Sequence, residues 1–119
     1  MDYIYIFKAL SNNKRVRIFR LLLEAKKELC ICEIMDSLLL TQYNISKHIK
    51  ELKIAGLVKE KRDGRFVFYS IIPPDNKLQE YIMKAIGSLQ KKLFKEDINK
   101  LKKRLSLRKN GKPVLCIGK

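Results

Sequence analysis

The side chains best suited to chemistry are the three cysteines of this 119-residue chain. Cys30 and Cys32 are separated by one residue in ELCICEI (28–34), and Cys116 lies in the tail sequence VLCIGK (114–119). Thiolates bind soft metal ions and are readily oxidised. The odd number of cysteines argues against a secreted disulfide framework, and the N-terminus lacks the basic leader of a signal peptide. We therefore expect cytoplasmic thiols that are free, metal-bound or redox-active.

The spacing of Cys30 and Cys32 is unusual for a pair of ligands. Side chains two residues apart on an ideal helix point about 200° apart. The two thiols are therefore either separate core positions or parts of a site that forms only when the start of a helix unwinds or bends.

The chain is strongly basic, with 27 Lys and Arg against 12 Asp and Glu and a net charge of +15. This balance implies a polyanionic partner, most often nucleic acid. A protein that coats chromosomes through charge alone is one interpretation, and it predicts no preference between an operator and random DNA. A thiol oxidoreductase is disfavoured because it would have a CxxC at a helix start within a βαβ unit. No apolar run is long enough to span a membrane, so no membrane partner is expected.

The apolar periodicity of the first half of the chain predicts helices. Thr41 is a natural N-cap, Asn12 is one of two candidate caps nearer the N-terminus, and Gly56 is a helix-ending glycine. The third and fourth helices have almost no linker between them, as in a helix-turn-helix. The predicted helices cover residues 3–10, 14–25, 32–40 and 40–57.

The periodicity changes in the second half of the chain. Residues 57–72 predict a β-hairpin that turns at Asp63-Gly64, because this pair tolerates the positive φ of a type I′ turn. Asp75 is then positioned to cap one long amphipathic helix over residues 75–105.

These elements predict a mainly α fold with a two-stranded β-wing, a dimeric winged helix-turn-helix of order α-α-α-α-β-β-α. We assign residues 1–105 to this DNA-binding domain, with dimerisation helices at both ends. Residues 106–119 form a basic C-terminal tail that carries Cys116.

Three segments resemble the ArsR/SmtB family of small dimeric metal-sensing repressors. ALSNNKRVRIFRLL (9–22) is similar to the family's opening, and LTQYNISKHIKELKIAGLV (40–58) to its helix-turn-helix signature. RDGRFVFYSI (62–71) resembles its wing. The resemblance implies a transcriptional repressor without enzymatic activity, which binds double-stranded operator DNA as a homodimer.

The second helix of a helix-turn-helix enters the major groove, where Gln, Asn and Lys side chains pair well with base edges. The wing tip would bring two guanidinium groups to the backbone or the minor groove. We assign a packing or hydrogen-bonding role to His48, the only histidine. The predicted DNA-binding residues are Gln42, Tyr43, Asn44, Ser46, Lys47, Lys50, Arg62 and Arg65.

The first and last helices form the predicted dimer surface, because each carries an apolar face at one end of the chain. The residues expected in this interface are Tyr3, Ile4, Phe7, Leu78, Tyr81, Ile82 and Ile86.

The resemblance also covers ELCICEI, which is similar to the ELCVCDL metal-binding segment of the family and implies Cys30 and Cys32 as metal ligands. Met35 stands where arsenic-sensing members often have a third cysteine, so Cys116 is the remaining candidate for the third ligand. Three thiolates suit As(III) or Sb(III). The implied function is release from the operator when either ion binds. Cd(II) or Pb(II), and oxidation of the thiols, remain open as other signals.

The charges around the two thiols have opposing effects on their reactivity. Lys26, Lys27 and the helix N-terminus are expected to lower the thiol pKa values, whereas Glu28 and Glu33 are expected to oppose this. A zinc site of the kind found on the last helix of other family members is not expected, because residues 75–105 contain no histidine.

Overall fold

The computed structural model describes residues 2–114, and its element order confirms the predicted winged helix-turn-helix. The helix-turn-helix consists of the third and fourth helices, and the wing is the antiparallel hairpin that follows. The helices are α1 (Asp2–Ala9), α2 (Asn13–Ala25), α3 (Ile31–Leu38), α4 (Gln42–Ile54), α5 (Lys77–Gly87) and α6 (Lys95–Leu105); the strands are β1 (Leu29–Cys30), β2 (Val58–Asp63) and β3 (Phe66–Ile71); a short 3-10 helix spans Lys91–Phe94.

The apolar core forms where α2 meets α3 and α4. Ile18 and Phe19 of α2, Ile34 of α3 and Ile45 of α4 are all 0% exposed. Burial of each side chain of this size contributes about 1.5–3 kcal/mol. The core therefore fixes the position of α4, the second helix of the helix-turn-helix.

The ends of the helices are set by local hydrogen bonds. Asn12 and Thr41 each accept a hydrogen bond from a backbone N–H in the following turn, at 2.9 Å and 3.2 Å, as predicted for N-caps. Gly56 follows α4 with a φ of +76°, which confirms it as the glycine that ends this helix. The N-cap of α5 is Asn76 rather than the predicted Asp75, since the Asn76 side chain accepts the N–H bond.

The prediction of one helix over residues 75–105 is wrong. The chain leaves the helix after Gly87, where the Ser88 hydroxyl donates to the carbonyl oxygen of Ala85 at 2.6 Å. The 3-10 helix then leads into α6, which packs against α2 and α3. Both helices are amphipathic, so a nearly continuous apolar stripe conceals the break between them.

The sheet has three strands rather than the predicted two, in the order β1-β3-β2. The additional strand, β1, contains only Leu29 and Cys30, and Cys30 pairs with Phe68 of the wing. A two-residue strand has no periodicity that could be recognised in the sequence. Because β1 pairs with β3, the backbone of Cys30 is joined to the sheet of the wing.

The hairpin turn lies one residue later than predicted. Asp63 pairs with Phe66, so the turn consists of Gly64 and Arg65. Gly64 has a φ of +62° in the first of the two turn positions, where type II′ turns use glycine.

The chain turns back towards α3 after α6. Lys109 and Lys112 form an isolated antiparallel bridge. Arg104 Nη2 then donates to the carbonyl oxygen of Val114 at 2.8 Å. The predicted metal ligand Cys116 lies outside the described residues.

Candidate DNA interface and thiol site

The N-terminal half of α4 has an exposed polar face opposite its buried isoleucines. Tyr43 is 74% exposed, and the Lys47 ammonium group lies 6.0 Å from the centroid of its ring. Asn44 is half-buried, and its backbone N–H is used by the Thr41 cap. The face therefore offers hydrogen-bonding and cationic groups to a groove in DNA, and its exposed members are Gln42, Tyr43, Ser46, Lys47 and Lys50.

The tip of the wing has two exposed guanidinium groups. Arg62 is the penultimate residue of β2, and Arg65 occupies the turn. Both side chains are exposed, as is Asp63 between them. The tip can therefore make the charge-assisted contacts with phosphate that a wing requires.

His48 points away from the polar face of α4 and is 5% exposed. Its Nδ1 accepts a hydrogen bond from Arg15 Nε at 3.2 Å, which agrees with the predicted hydrogen-bonding role. Burial lowers the pKa of His48, and the positive charges of Arg15 and Lys47 lower it further. The neutral imidazole thus joins the first turn of α2 to α4.

The predicted dimer residues fall into two groups. Tyr3, Ile4 and Phe7 of α1 and Tyr81 of α5 are exposed by 41–59%. Leu78, Ile82 and Ile86 are partly buried and pack against the core. Tyr3 and Leu78 line one hollow, so α1 and α5 share a surface.

The first of the two neighbouring cysteines precedes its helix; Cys30 is a free thiol, whereas Cys32 is disulfide-bonded. Cys30 is the N-cap of α3, with an extended backbone (φ −81°, ψ 163°), and Cys32 lies in the first turn. The Cys30 sulfur accepts a hydrogen bond from the backbone N–H of Glu33, while the Cys30 N–H donates to Glu33 Oε1 at 3.1 Å. The pair is therefore not on an intact helix, and the predicted need to unwind the helix start is smaller than the sequence suggests.

The pKa of Cys30 is raised, whereas the sequence predicted only opposing effects, a lowering by Lys26, Lys27 and the helix N-terminus against Glu28 and Glu33. Burial is the largest cause, because the residue is 2% exposed. The backbone N–H groups of Cys32 and Glu33 and the charge of Arg104 oppose this effect only in part. Cys30 is a free thiol that is largely protonated at neutral pH.

A buried ion pair lies directly beside Cys30. Glu33 is 0% exposed, and its carboxylate accepts two hydrogen bonds from Arg108, at 2.6 Å from Nη2 and 2.7 Å from Nε. Arg108 Nη2 also donates to the backbone carbonyl of Glu28 at 2.9 Å. The hydrogen bond to Glu33 raises the pKa of Arg108. The segment after α6 is thus bound to the start of α3.

Arg104 makes a second connection to α3. Its Nε donates to Asp36 Oδ2 at 2.8 Å, and its Nη2 binds the carbonyl of Val114. Asp36 lies one turn after Cys32, so both face the same side of α3. The backbone at Val114 is therefore held by a guanidinium that also binds this side of α3.

Within residues 2–114, no three His, Cys, Asp or Glu side chains are grouped so that they could hold a metal ion. The predicted site needs Cys116 as its third ligand, which is beyond this range. In the same part of the chain, no helix is long and apolar enough to cross a lipid bilayer.

Sequence reasoning did not identify three residues that surround Cys30. Arg104 and Arg108 contact α3 from 68 and 75 positions away in the chain, and such pairs have no signature in one sequence. Phe68 pairs with Cys30 through the short strand β1. The clustering of Arg104 and Arg108 four residues apart near the last helix was the one available signal.

The sequence and the fold are both similar to those of bacterial regulators. The pattern of the family described as "Bacterial regulatory protein, arsR family" matches residues 12–60. The arsenic resistance transcriptional regulator ArsR1 of Pseudomonas putida is 30% identical over 96 residues, which cover 81% of this chain and 74% of that protein.

Two further proteins extend this comparison. A homolog of the cadmium resistance transcriptional regulatory protein CadC from Staphylococcus aureus is 33% identical over 85 residues, covering 71% of this chain and 68% of the homolog. The solved structure of HlyU from Vibrio cholerae superposes with a TM-score of 0.63 at 26% identity, covering 74% of this chain and 90% of HlyU.

Proposed function

This chain belongs to the ArsR family and is a DNA-binding transcriptional repressor, and we propose that it leaves its operator when As(III) or Sb(III) binds to its cysteine thiolates. The observation that carries the proposal is the position of Cys30. Cys30 caps α3, pairs with Phe68 of the wing, and lies beside the Arg108–Glu33 ion pair. A repressor acts on DNA, so we also propose a cytoplasmic location.

We propose that α4 reads the major groove and that the wing contacts the backbone or the minor groove. The exposed Gln42 and the half-buried Asn44 have the amide groups that pair with adenine. Lys47 and Lys50 are exposed farther along the same helix, where ammonium groups meet guanine or phosphate. Arg62 and Arg65 supply the wing contacts.

We propose that the active species is a homodimer joined through α1 and α5. Four large apolar side chains are exposed on this surface, and a monomer in water would rarely leave such a patch uncovered. Two copies would bring two α4 helices to a two-fold operator, where the half-sites are about 34–36 Å apart. The residues proposed for this interface are Tyr3, Ile4, Phe7, Leu78, Tyr81, Ile82 and Ile86.

The proposed ligands, in the reduced protein, are Cys30, Cys32 and Cys116; Cys32 is disulfide-bonded in this structure, so reduction must precede metalloid binding. The Val114 carbonyl is bound by Arg104, whose other nitrogen binds Asp36 on the side of α3 that also carries Cys32. Cys116 follows Val114 by two residues, a span of at most about 7 Å. This length supports Cys116 as the third donor, and three sulfur donors suit a soft three-coordinate ion.

The proposed signal travels through two connections of Cys30. A ligand that draws the Cys30 sulfur towards other thiols removes the cap that it provides for α3 and disturbs the capping box with Glu33. The same movement disturbs the pairing between Cys30 and Phe68. α3 supports α4, and β3 supports the wing tip, so both DNA contacts weaken together. A coupling free energy of about 1–3 kcal/mol between ligand binding and DNA binding corresponds to a loss of roughly 5–150-fold in DNA affinity.

Two other signals use the same thiols. Cd(II) or Pb(II) also bind thiolates, and the similarity to a cadmium-resistance regulator favours testing them. Oxidation is the other signal: Cys32 is disulfide-bonded in this structure whereas Cys30 is a free thiol, and forming such a disulfide from two thiols releases two electrons to an oxidant such as peroxide. Each signal predicts DNA release under a different added reagent.

The decisive experiment measures DNA affinity by fluorescence anisotropy at fixed salt. The DNA is a duplex selected by the reduced protein from a random pool, because this choice needs no knowledge of the operator. Wild type and the variants Cys30→Ser, Cys32→Ser and Cys116→Ser are titrated with arsenite, antimonite, Cd(II), Zn(II) and peroxide. We expect arsenite and antimonite to weaken binding by wild type and not by Cys30→Ser or Cys32→Ser.

Met35→Leu is the matched control, since it changes a buried sulfur on the same helix without removing a thiol. It should respond to arsenite like wild type. If all three Cys→Ser variants still release DNA on arsenite addition, the proposed site is wrong. Release by peroxide alone, without a response to any of the four ions, would replace the metalloid with oxidation as the signal.

A further inference from the structure

A hollow between α2 and α6 is separate from both the thiols and the DNA-facing surface. Its volume is about 510 Å³, within the range of small-molecule sites. Ala25 of α2 and Leu101 of α6 are buried at its base, and Ile98 and Leu105 of α6 are half-buried beside them. The hollow therefore has an apolar floor.

The rim of the hollow is positively charged. All of its lysines are exposed, and within residues 2–114 none of them forms an ion pair with a carboxylate. Among the described residues that line the hollow, Glu24 is the one acidic side chain, and its carboxylate is already bound to Arg20 Nε at 2.8 Å. The rim lysines are Lys27, Lys91, Lys92, Lys95 and Lys102.

The spacing along α6 arranges these groups in order. Lys95, Ile98, Asn99 and Lys102 follow the i, i+3, i+4, i+7 pattern of one helical face. An apolar side chain thus lies between two ammonium groups. Two simpler explanations do not fit this arrangement. A charged face that is only solvated would have no buried apolar floor. An ordinary core contact would not be surrounded by lysines that lack a carboxylate partner.

We propose that this hollow, which we call the α2–α6 hollow, binds a small amphipathic organic anion. The ligand has an apolar chain or ring system and one carboxylate, sulfonate or phosphate group. The apolar part covers the floor, and burial of its surface contributes about 25 cal/mol per Å². The anionic group meets the rim lysines, whose positive charges line the same hollow and attract an anion. Nucleic acid fits less well, because its charges are spread along a backbone while the apolar floor would remain uncovered.

The test uses the reduced full-length protein and two probes of this class. Binding of 8-anilinonaphthalene-1-sulfonate is followed by fluorescence, and decanoate is added as a competitor, with decanol as its uncharged counterpart. We expect saturable fluorescence that decanoate displaces at least about tenfold more effectively than decanol, a difference of ~1.4 kcal/mol. Equal displacement by both, or no displacement by decanoate, would overturn the proposal.

Variants locate the site. Lys95→Glu with Lys102→Glu reverses two rim charges, and Lys59→Glu with Lys109→Glu reverses two exposed lysines elsewhere at the same net charge. We expect the rim pair to weaken probe binding at least about tenfold and the control pair to change it less than about twofold. Ile98→Glu should weaken it as well, by placing a carboxylate on the floor. Equal weakening by both lysine pairs would reduce the effect to net charge and overturn the proposal. Far-UV circular dichroism confirms that each variant is folded.

Discussion

Arg108 and Glu33 form a bidentate ion pair across 75 residues of chain, with N–O distances of 2.6 Å and 2.7 Å. Glu33 is the third residue of α3 and closes the capping box with Cys30. The Glu33 carboxylate therefore binds both Arg108, in the segment after α6, and the backbone N–H of Cys30. The stability of this pair and the state of Cys30 are expected to be linked.

Arg108→Ala should be strongly destabilising, because it leaves the fully buried Glu33 carboxylate without its cation. Removal of one partner of a buried pair costs about 3–5 kcal/mol. The free energy of unfolding by urea measures this loss. Glu33→Gln in the Arg108→Ala background should restore part of it, since a neutral amide costs less to bury.

Lys109→Ala is the matched control, because this neighbouring side chain is exposed. Its unfolding free energy should stay within about 0.5 kcal/mol of wild type. A similarly small effect of Arg108→Ala would show that Glu33 finds another partner and that the pair does not hold the segment.

Gln42→Ala and Lys50→Ala should weaken DNA binding in different ways. If Gln42 reads a base, its loss costs about 1–3 kcal/mol and relaxes the preference at one base pair. If Lys50 contacts phosphate, its loss weakens binding to all sequences and lowers the salt slope by about one. Anisotropy titrations at several salt concentrations, on the selected duplex and its single-base variants, separate the two effects.

Arg62→Ala and Arg65→Ala in the wing should resemble Lys50→Ala rather than Gln42→Ala if they contact phosphate. Lys59→Ala, on β2 but away from the tip, is the control and should leave the salt slope unchanged. An unchanged slope for both arginine variants would place the wing tip away from DNA.

Arsenite should loosen β3 if Cys30 transmits its signal through the strand pairing with Phe68. We expect amide hydrogen exchange between Val67 and Tyr69 to accelerate at least about tenfold, which corresponds to ~1.4 kcal/mol of local stability. Cys30→Ser should abolish the change. Faster exchange confined to α3 and α4 would instead indicate that the signal passes through the helix-turn-helix alone.

Acid should destabilise the fold through His48. Its folded-state pKa lies below the ordinary value of 6.5, so the unfolded chain binds the proton first. The stabilisation is complete above about pH 6.5 and is lost as the pH falls from there towards the folded pKa, with a slope approaching ~1.4 kcal/mol per pH unit. Urea unfolding between pH 7.5 and 5 measures this slope, and His48→Gln should flatten it. An equal slope in the variant would assign the pH dependence to other groups.

Helical periodicity predicts α1 to α4 because each of these helices buries one face. The hairpin is predicted instead by the change of periodicity and by the Asp63-Gly64 turn pair, since β2 is exposed beyond Val58. Helical periodicity also joins α5 and α6 into one helix, because the Ser88 break interrupts the apolar stripe for only a few residues. β1 is too short for any period, and the contacts of Arg104 and Arg108 depend on how α6 packs. The direction of the Cys30 pKa shift could not be predicted for a related reason: neighbouring charges are visible in the sequence, whereas the burial of Cys30 is not.

The pH dependence of binding should distinguish Cd(II) from arsenite at the thiols. Cd(II) displaces a proton from each neutral thiol, and burial raises the pKa of Cys30 so that it is protonated at neutral pH. The apparent Cd(II) affinity should therefore rise at least about tenfold per pH unit between pH 6 and 8. As(OH)3 forms three S–As bonds and loses three hydroxides, which leave as water with the three thiol protons. No net proton is released, so its affinity should change little over this range.

Ultraviolet absorption of the metal–thiolate bonds measures both affinities without DNA, which removes any contribution from the operator. Cys30→Ser should lower the Cd(II) slope by about one proton, because one neutral thiol is lost. Met35→Leu should keep the wild-type slope. A Cd(II) affinity in the wild type that does not rise with pH, together with an arsenite affinity that falls, would mean that Cys30 is already a thiolate, and burial would then not be the dominant influence on its pKa.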